Sequence, residues 1–160
     1  MKNLKKIKFA LILIVLLFLS NKISAQQLIK ASEVTPAYLK ILCATNGINV
    51  SEIKDNFIKI NNGVEMYLDI DKQKEYIIFN NNYSLSDKAT PAKALELVNK
   101  INSEVVFISA RYHQKENTIE YRYYFWIKDG FSSQSLISAL DIYKDAFNFS
   151  LEKDIEEIIQ

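Results

Sequence analysis

The sequence is poor in the residues that build metal sites and disulfide scaffolds. Its 160 residues include one cysteine, one histidine, three glycines and two prolines. A single cysteine excludes a disulfide within the chain and a cysteine-based zinc site, and a single histidine, His113, excludes a multi-histidine metal centre. So little glycine and proline excludes a fibrous or linker-rich protein. We therefore expect neither a bound metal nor a cofactor.

The residues that are abundant indicate a folded domain. Hydrophobic residues make up 49% of the chain and aromatic residues 12%, which is too much for an intrinsically disordered protein. A chain of this length suffices for one domain with a real core and hardly for two. No motif in it requires a particular chemistry.

The first 25 residues have the layout of a secretory signal peptide. Four lysines within the first eight residues precede an unbroken apolar run, Phe9–Leu19, and a short polar segment then ends at Ala25. Eleven apolar residues are too few to cross a bilayer as a helix, which takes about 20. We expect cleavage after Ala25 and export to the periplasm or the exterior, with an uncleaved N-terminal anchor as the alternative.

Removing the signal peptide changes the charge of the protein. The remaining residues 26–160 contain 15 Lys and Arg against 19 Asp and Glu, a formal net charge of −4 rather than the +1 of the whole chain. Nucleic-acid binding relies on neutralising phosphates with Lys and Arg. An acidic exported domain is therefore a poor candidate for it, and no second apolar run predicts a membrane span.

The remaining pattern predicts an α+β fold. Two Thr-Pro pairs, Thr35-Pro36 and Thr90-Pro91, each resemble the start of a helix, because threonine caps helices and proline suits the first helical position. Between them, apolar and polar residues alternate over Val64–Ile70, as in a strand with one buried face. The predicted order is α-β-β-β(-β)-α-β-β-α, with a mainly antiparallel sheet and the helices gathered on one face.

Four segments follow from this reading. We expect a signal peptide over residues 1–25, a lead-in over 26–34, the α+β domain over 35–150 and a C-terminal helical tail over 151–160.

The predicted domain resembles a known family. The resemblance is carried by Val34–Leu39 with Gly47 after it, by Ile58–Ile60 and Tyr67-Leu68, and by Ala94–Asn102 before Val105–Phe107. On these residues, the chain from Val34 to Phe149 is similar to the YbjN family of small bacterial domains, whose fold is similar to that of the type III secretion chaperones. The resemblance implies a non-enzymatic, dimeric α+β domain that acts as a sensory-transduction or stress regulator or as a chaperone-like binder.

Three features with potential chemistry have simpler interpretations. The acidic stretch Asp69–Glu75 superficially resembles a calcium loop, but Lys74 stands where such a loop needs glycine, so a solvated turn is favoured. His113 has no serine, cysteine or aspartate beside it in sequence and is interpreted as a surface residue. Cys43 is interpreted as a small buried hydrophobic residue of the first helix rather than as a reactive thiol.

The strongest anomaly is an aromatic strand, Tyr121–Trp126. Alternation places Tyr121, Tyr123 and Phe125 on the face that should meet the helices. The opposite face then carries candidate protein-binding residues of the types enriched at binding hot spots. These are Arg122, Tyr124 and Trp126. The alternative is a central strand that is buried on both faces and has no binding role.

The sequence therefore favours a non-enzymatic, exported binding module that recognises a protein partner, or a second copy of itself, through the outer face of its sheet. Two alternatives stay open: an envelope hydrolase built from His113 and distant carboxylates, and a small-ligand sensor with a pocket between sheet and helices. A convergent polar cleft around His113 would favour the enzyme, whereas a flat aromatic patch would favour binding.

Overall fold

The computed structural model describes residues 28–160. Within this range the chain forms three α-helices and six β-strands, in the predicted order, with a 3₁₀ turn at Ala31–Glu33 before them. The elements are α1 (Pro36–Thr45), β1 (Asn49–Ile53), β2 (Phe57–Asn61), β3 (Glu65–Ile70), β4 (Tyr76–Ser84), α2 (Pro91–Glu104), β5 (Ser109–His113), β6 (Thr118–Trp126) and α3 (Ser133–Leu151).

The six strands form one antiparallel sheet in the order β1-β2-β3-β4-β6-β5. The first four strands follow one another through short turns. Helix α2 then carries the chain to the far edge, and the β5–β6 hairpin returns it so that β6 lies beside β4. All nine residues of β6 pair with β4, from Thr118 opposite Ser84 to Trp126 opposite Tyr76.

The helices cover one face of this sheet, as predicted. On that inner face the strand side chains are apolar at every second position and are buried, as at Leu68, Ile77 and Phe79. Helix α3 contributes Tyr143 and Phe147, whose rings contact Phe79 and Tyr121 at centroid distances of 5.8 and 5.1 Å. The Tyr143 hydroxyl is also buried there and donates a hydrogen bond to Asn81 Oδ1 at 2.6 Å.

Both Thr-Pro pairs start helices for the predicted reason. Thr35 Oγ1 accepts a hydrogen bond from the Tyr38 backbone N–H at 3.1 Å, and Thr90 Oγ1 accepts one from the Lys93 N–H at 3.3 Å. Each threonine thereby satisfies a backbone donor that the first helical turn leaves free. Cys43 is fully buried on α1, as the sequence predicted.

The prediction of a helical tail over residues 151–160 is wrong. Helix α3 ends at Leu151, and the rest of the chain forms turns before Ile159 bridges to Leu85. The Asp154 carboxylate accepts hydrogen bonds from the N–H groups of Ile158 and Ile159, at 3.0 and 2.8 Å. This turn leaves Ile158 only 2% exposed while Ile155 is 80% exposed, so an extended segment, rather than one face of a helix, buries Ile158.

The predicted signal peptide over residues 1–25 lies outside the described residues. No helix of residues 28–160 combines the length and the apolar character that crossing a bilayer requires. The lead-in is anchored to the domain, because Ile29 bridges to Phe131 and Val34 is fully buried.

Candidate functional site

The face of the sheet opposite the helices carries no covering element among the described residues. We call it the outer face. Its side chains come from every second residue of each strand, because successive residues of a strand point to opposite faces. Residues that pair across two strands point to the same face. Side chains in the middle of this face are half-buried or exposed, in contrast to the fully buried inner face. The outer face is therefore an open surface spanning all six strands.

An aromatic block occupies one end of the outer face. Tyr124 and Trp126 on β6 are 48% and 51% exposed. They stand opposite Ile78 and Tyr76 on β4, respectively. The Tyr76 and Tyr124 rings make an edge-to-face contact at a centroid distance of 5.4 Å, which is a favoured arrangement for aromatic pairs. Cross-strand pairing thus combines four large side chains from two strands that are distant in sequence.

Trp126 is held in place although half of its surface is exposed. Its indole Nε1 donates a hydrogen bond to Asp129 Oδ2 at 3.0 Å. Lys128 Nζ lies 5.8 Å from the centre of the ring and forms an ion pair with Glu75 at 2.6 Å. The tryptophan side chain is therefore restricted before any partner arrives, which lowers the entropy lost on binding.

A polar row runs beside the aromatic block. The Arg122 guanidinium donates to Glu120 Oε1 at 2.6 Å and to the Tyr124 hydroxyl at 3.3 Å. Glu120 is only 8% exposed, and its second carboxylate oxygen lies 2.9 Å from His113 Nε2. Arg122 and His113 thus compensate a buried carboxylate from both sides, and Arg122 also orients Tyr124.

Asp69 forms the other polar element of this face. Its carboxylate accepts a hydrogen bond from the Asn80 amide. Burial raises the pKa of Asp69, while the bond from Asn80 and the charge of Arg122 oppose that rise and the charge of Glu120 adds to it. Asp69 stands opposite Ile78 on one side and Phe57 on the other. An ionised acid partly desolvated beside Ile78 and Phe57 costs stability, and the hydrogen bond from Asn80 offsets part of that cost.

A second, smaller aromatic pair lies farther along the sheet. Phe57 on β2 and Tyr67 on β3 make an edge-to-face contact at 5.5 Å, and Lys59 Nζ lies 5.4 Å from the Tyr67 ring. Lys59 also pairs with Glu65 at 2.6 Å. Aromatic and paired charged groups therefore continue across the outer face beyond the block around Trp126.

Comparison with known proteins now identifies the family. A family model described as "YbjN: Putative bacterial sensory transduction regulator" matches residues 37–150, which is more than half of the chain. The chain belongs to the YbjN family. The crystal structure of E. coli YbjN, described as "a putative transcription regulator", superposes with a TM-score of 0.70 over 84% of this chain and 99% of that one, at 11% sequence identity. At that identity the likeness establishes the fold alone. A search of curated proteins found no significant match.

The structure places the predicted candidate residues of this YbjN-family domain together. Arg122, Tyr124 and Trp126 point to the outer face, whereas Tyr121 and Phe125 are buried on the inner face. Sequence reasoning missed their cross-strand neighbours Tyr76 and Ile78. Both lie in a short apolar run that looks the same whether one face or two are buried, so only the register of β4 against β6 reveals them.

His113 does have a carboxylate partner, which the sequence did not indicate. Glu120 faces it across the β5–β6 hairpin, seven residues along the chain. The pair lies on the open sheet rather than in a cleft. A surface groove between α2 and the C-terminal segment is lined by residues such as Lys93, Lys100 and Lys153 and does not include His113. The His113–Glu120 pair therefore lies outside this groove.

The remaining candidates have structural roles. The Asp71 carboxylate accepts hydrogen bonds from the backbone N–H groups of Gln73 and Glu75, so it stabilises its own turn. Lys74 donates from Nζ to the carbonyls of Ser32 and Val34, both at 3.0 Å, and so ties this turn to the lead-in. Burial raises the pKa of the Cys43 thiol to about 11, which opposes formation of the reactive thiolate.

Proposed function

We propose that this YbjN-family domain is a non-enzymatic binding module that recognises a protein surface, either a partner or a second copy, through the outer face of its sheet. The domain acts outside the cytoplasm after signal cleavage, in a regulatory or chaperone-like role. The family description of a sensory transduction regulator supports the regulatory role. The amino-terminal sequence supports export.

The observation that carries the proposal is the aromatic block beside Arg122. Tyr124 and Trp126 are each about half exposed, and each already has a fixed neighbour, Tyr76 or Asp129. Tyr, Trp and Arg are the residues that dominate binding energies at protein interfaces. A group of such residues, partly ordered and left open to solvent, is what a binding hot spot requires.

The chemistry of the outer face also favours a protein over other ligands. Its charges are paired with one another, as in Arg122 with Glu120 and Lys128 with Glu75. A paired, near-neutral surface offers little attraction to nucleic acid, whose binding depends on uncompensated cations. A flat surface also lacks the concave shape that encloses a small molecule. A large surface of mixed apolar and polar character suits another protein.

Position-specific cross-linking in cells tests this proposal. A photoreactive amino acid is placed in the full-length chain at Trp126, and matched variants carry it at Ile41 and Ile155. The two control side chains are 66% and 80% exposed but lie outside the outer face. We expect a discrete protein adduct, or a covalent dimer, from position 126 and none from the controls. Equal labelling from all three positions, or none from 126, would refute a binding site on this face.

A further inference from the structure

The two strands of the last hairpin have unequal lengths. Strand β5 has five residues and β6 has nine. Their pairing starts at His113 opposite Thr118 and ends at Ser109 opposite Arg122. Beyond Arg122, β6 continues to Trp126 and is paired on its β4 side alone among the described residues. We call this unpaired side of Tyr123–Trp126 the open edge.

Hydrogen bonds show which backbone groups face the open edge. Arg122 C=O accepts a bond from Ser109 Oγ on the β5 side at 3.3 Å, whereas Ile127 N–H donates to Glu75 C=O on the β4 side at 2.8 Å. Backbone groups alternate sides along a strand. The N–H and C=O groups of Tyr124 and Trp126 therefore point to the open edge, where no strand of residues 28–160 pairs with them and no turn or loop backbone group bonds them.

The chain that precedes β5 turns away from this edge at an unusual residue. Phe107 has φ of +66°, in the left-handed region, which is disfavoured for a bulky side chain. Phe107 and its neighbour Val106 are 57% and 69% exposed. A regular extension of β5 would place residue 107 opposite Tyr124 and would close the edge. The strained turn instead keeps the edge open and leaves two apolar side chains exposed near it.

We propose that the open edge binds an extended, uncharged apolar segment of a partner protein by strand addition beside Tyr124 and Trp126. This inference rests on the proposed function and specifies the partner at the same site. Only another extended strand matches a row of free N–H and C=O groups. The nearest charges, Arg122 and Lys128, are already paired with Glu120 and Glu75, so the complementary segment carries no charge opposite them.

The surroundings of the edge fit such a segment. Alternate side chains of an added strand would lie on the outer face beside Tyr124 and Trp126. Free, apolar edges promote aggregation, and proteins commonly protect them with lysine, proline or a covering loop. Among the described residues, Tyr123–Trp126 include no lysine or proline, and Lys128, which lies over the Trp126 ring, is already paired with Glu75.

The test uses the purified protein and a defined peptide, acetyl-Thr-Val-Thr-Val-Thr-Val-amide, with amide hydrogen exchange as the readout. In the free protein we expect fast exchange at Tyr124 and Trp126 and slow exchange at Tyr123 and Phe125, which pair with β4. Millimolar peptide should bind saturably and slow exchange at Tyr124 and Trp126. The same peptide with alternate amides N-methylated should neither bind saturably nor slow exchange at Tyr124 and Trp126. Absence of saturable binding, or binding without protection of these two amides, would overturn the proposal.

Three variants separate backbone from side-chain contributions to peptide binding. Trp126→Ala and Trp126→Pro both remove the indole, but only proline removes the N–H at the open edge, so Trp126→Pro should bind the peptide about fivefold more weakly than Trp126→Ala. Protection of the Phe125 amide verifies that β4 and β6 still pair. Phe107→Gly should relieve the backbone strain, leave the melting temperature equal or higher, and weaken peptide binding.

These outcomes also separate this proposal from the broader one. If position 126 yields an adduct in cells while Trp126→Pro is no weaker than Trp126→Ala toward the peptide, the outer face binds partners but strand addition is wrong. If position 126 yields no adduct, the proposed function fails as well.

Discussion

The opposite faces of β6 predict opposite consequences for two neighbouring substitutions. Phe125 is 9% exposed, and its ring contacts Phe79 and Phe131 at 6.0 and 5.4 Å. Trp126 is 51% exposed and contributes to the outer face. Phe125→Ala should therefore damage the fold, whereas Trp126→Ala should leave the domain folded and reduce association.

The expected magnitudes follow from burial. Truncating a buried phenylalanine costs about 3–5 kcal/mol, because it removes apolar contacts and leaves a cavity. Trp126 is 51% exposed, so it buries about half of roughly 250 Å². Alanine retains part of that buried area, so Trp126→Ala should cost about 2 kcal/mol at roughly 25 cal/mol per Å². For a domain of this size these losses correspond to about 15 °C and about 5 °C in melting temperature.

Thermal melts and light scattering on both variants measure the two effects side by side. We expect Phe125→Ala to melt far below the wild type and Trp126→Ala to melt slightly below it, with weaker partner capture or self-association in the second variant. A hot-spot loss of about 2 kcal/mol corresponds to about thirtyfold in affinity. A Trp126→Ala protein that melts like Phe125→Ala with unchanged association would refute our interpretation of this strand.

Four further predictions concern the amino terminus and two titratable groups. N-terminal sequencing of the exported form should begin at Gln26, and a retained Met1 in a membrane fraction would contradict signal cleavage. Native Cys43 should react with a thiol reagent at least about a hundredfold more slowly than in denaturant. Burial raises the pKa of the Cys43 thiol to about 11, so between pH about 9 and 11 the thiol ionises in the unfolded chain first. Over that range the wild type should lose stability relative to Cys43→Ala. Parallel curves of stability against pH for the two proteins would refute this. Burial also raises the pKa of Asp69. As pH falls, the folded protein therefore binds a proton at Asp69 before the unfolded chain does, and at neutral pH the ionised carboxylate lowers the stability of the fold. Asp69→Asn should thus melt at or above the wild type at pH 7, with a smaller advantage near pH 4, and a clearly lower melting temperature at pH 7 would show that the carboxylate stabilises the fold.

Local patterns were sufficient to predict the elements and the two faces of β6. Alternation within Tyr121–Trp126 depends on strand geometry alone, so it assigned Phe125 and Trp126 to the correct sides. The Thr-Pro helix starts depend on contacts within one turn, which sequence also displays. Such features are local, and the structure confirms them.

Features that depend on long-range register could not be predicted. Tyr76 lies 50 positions before Trp126, and Glu120 faces His113 only because the β5–β6 hairpin sets that register. The extended tail at Ile158 results from packing that outweighs local preference, and no local pattern signals the left-handed Phe107. Tyr76 and Glu120 complete the outer face and Phe107 lies where its open edge begins, which is why the sequence indicated three candidate residues rather than a surface.

Because Trp126 is the only tryptophan of the chain, its fluorescence reports directly on the proposed surface. The decisive measurement is acrylamide quenching of Trp126 in the dilute protein and again in the complex with the protein that cross-links at position 126. We predict efficient quenching in the free protein, consistent with a half-exposed indole, and strong protection in the complex. Equal quenching in both states would show that the partner does not cover this face and would contradict the central claim.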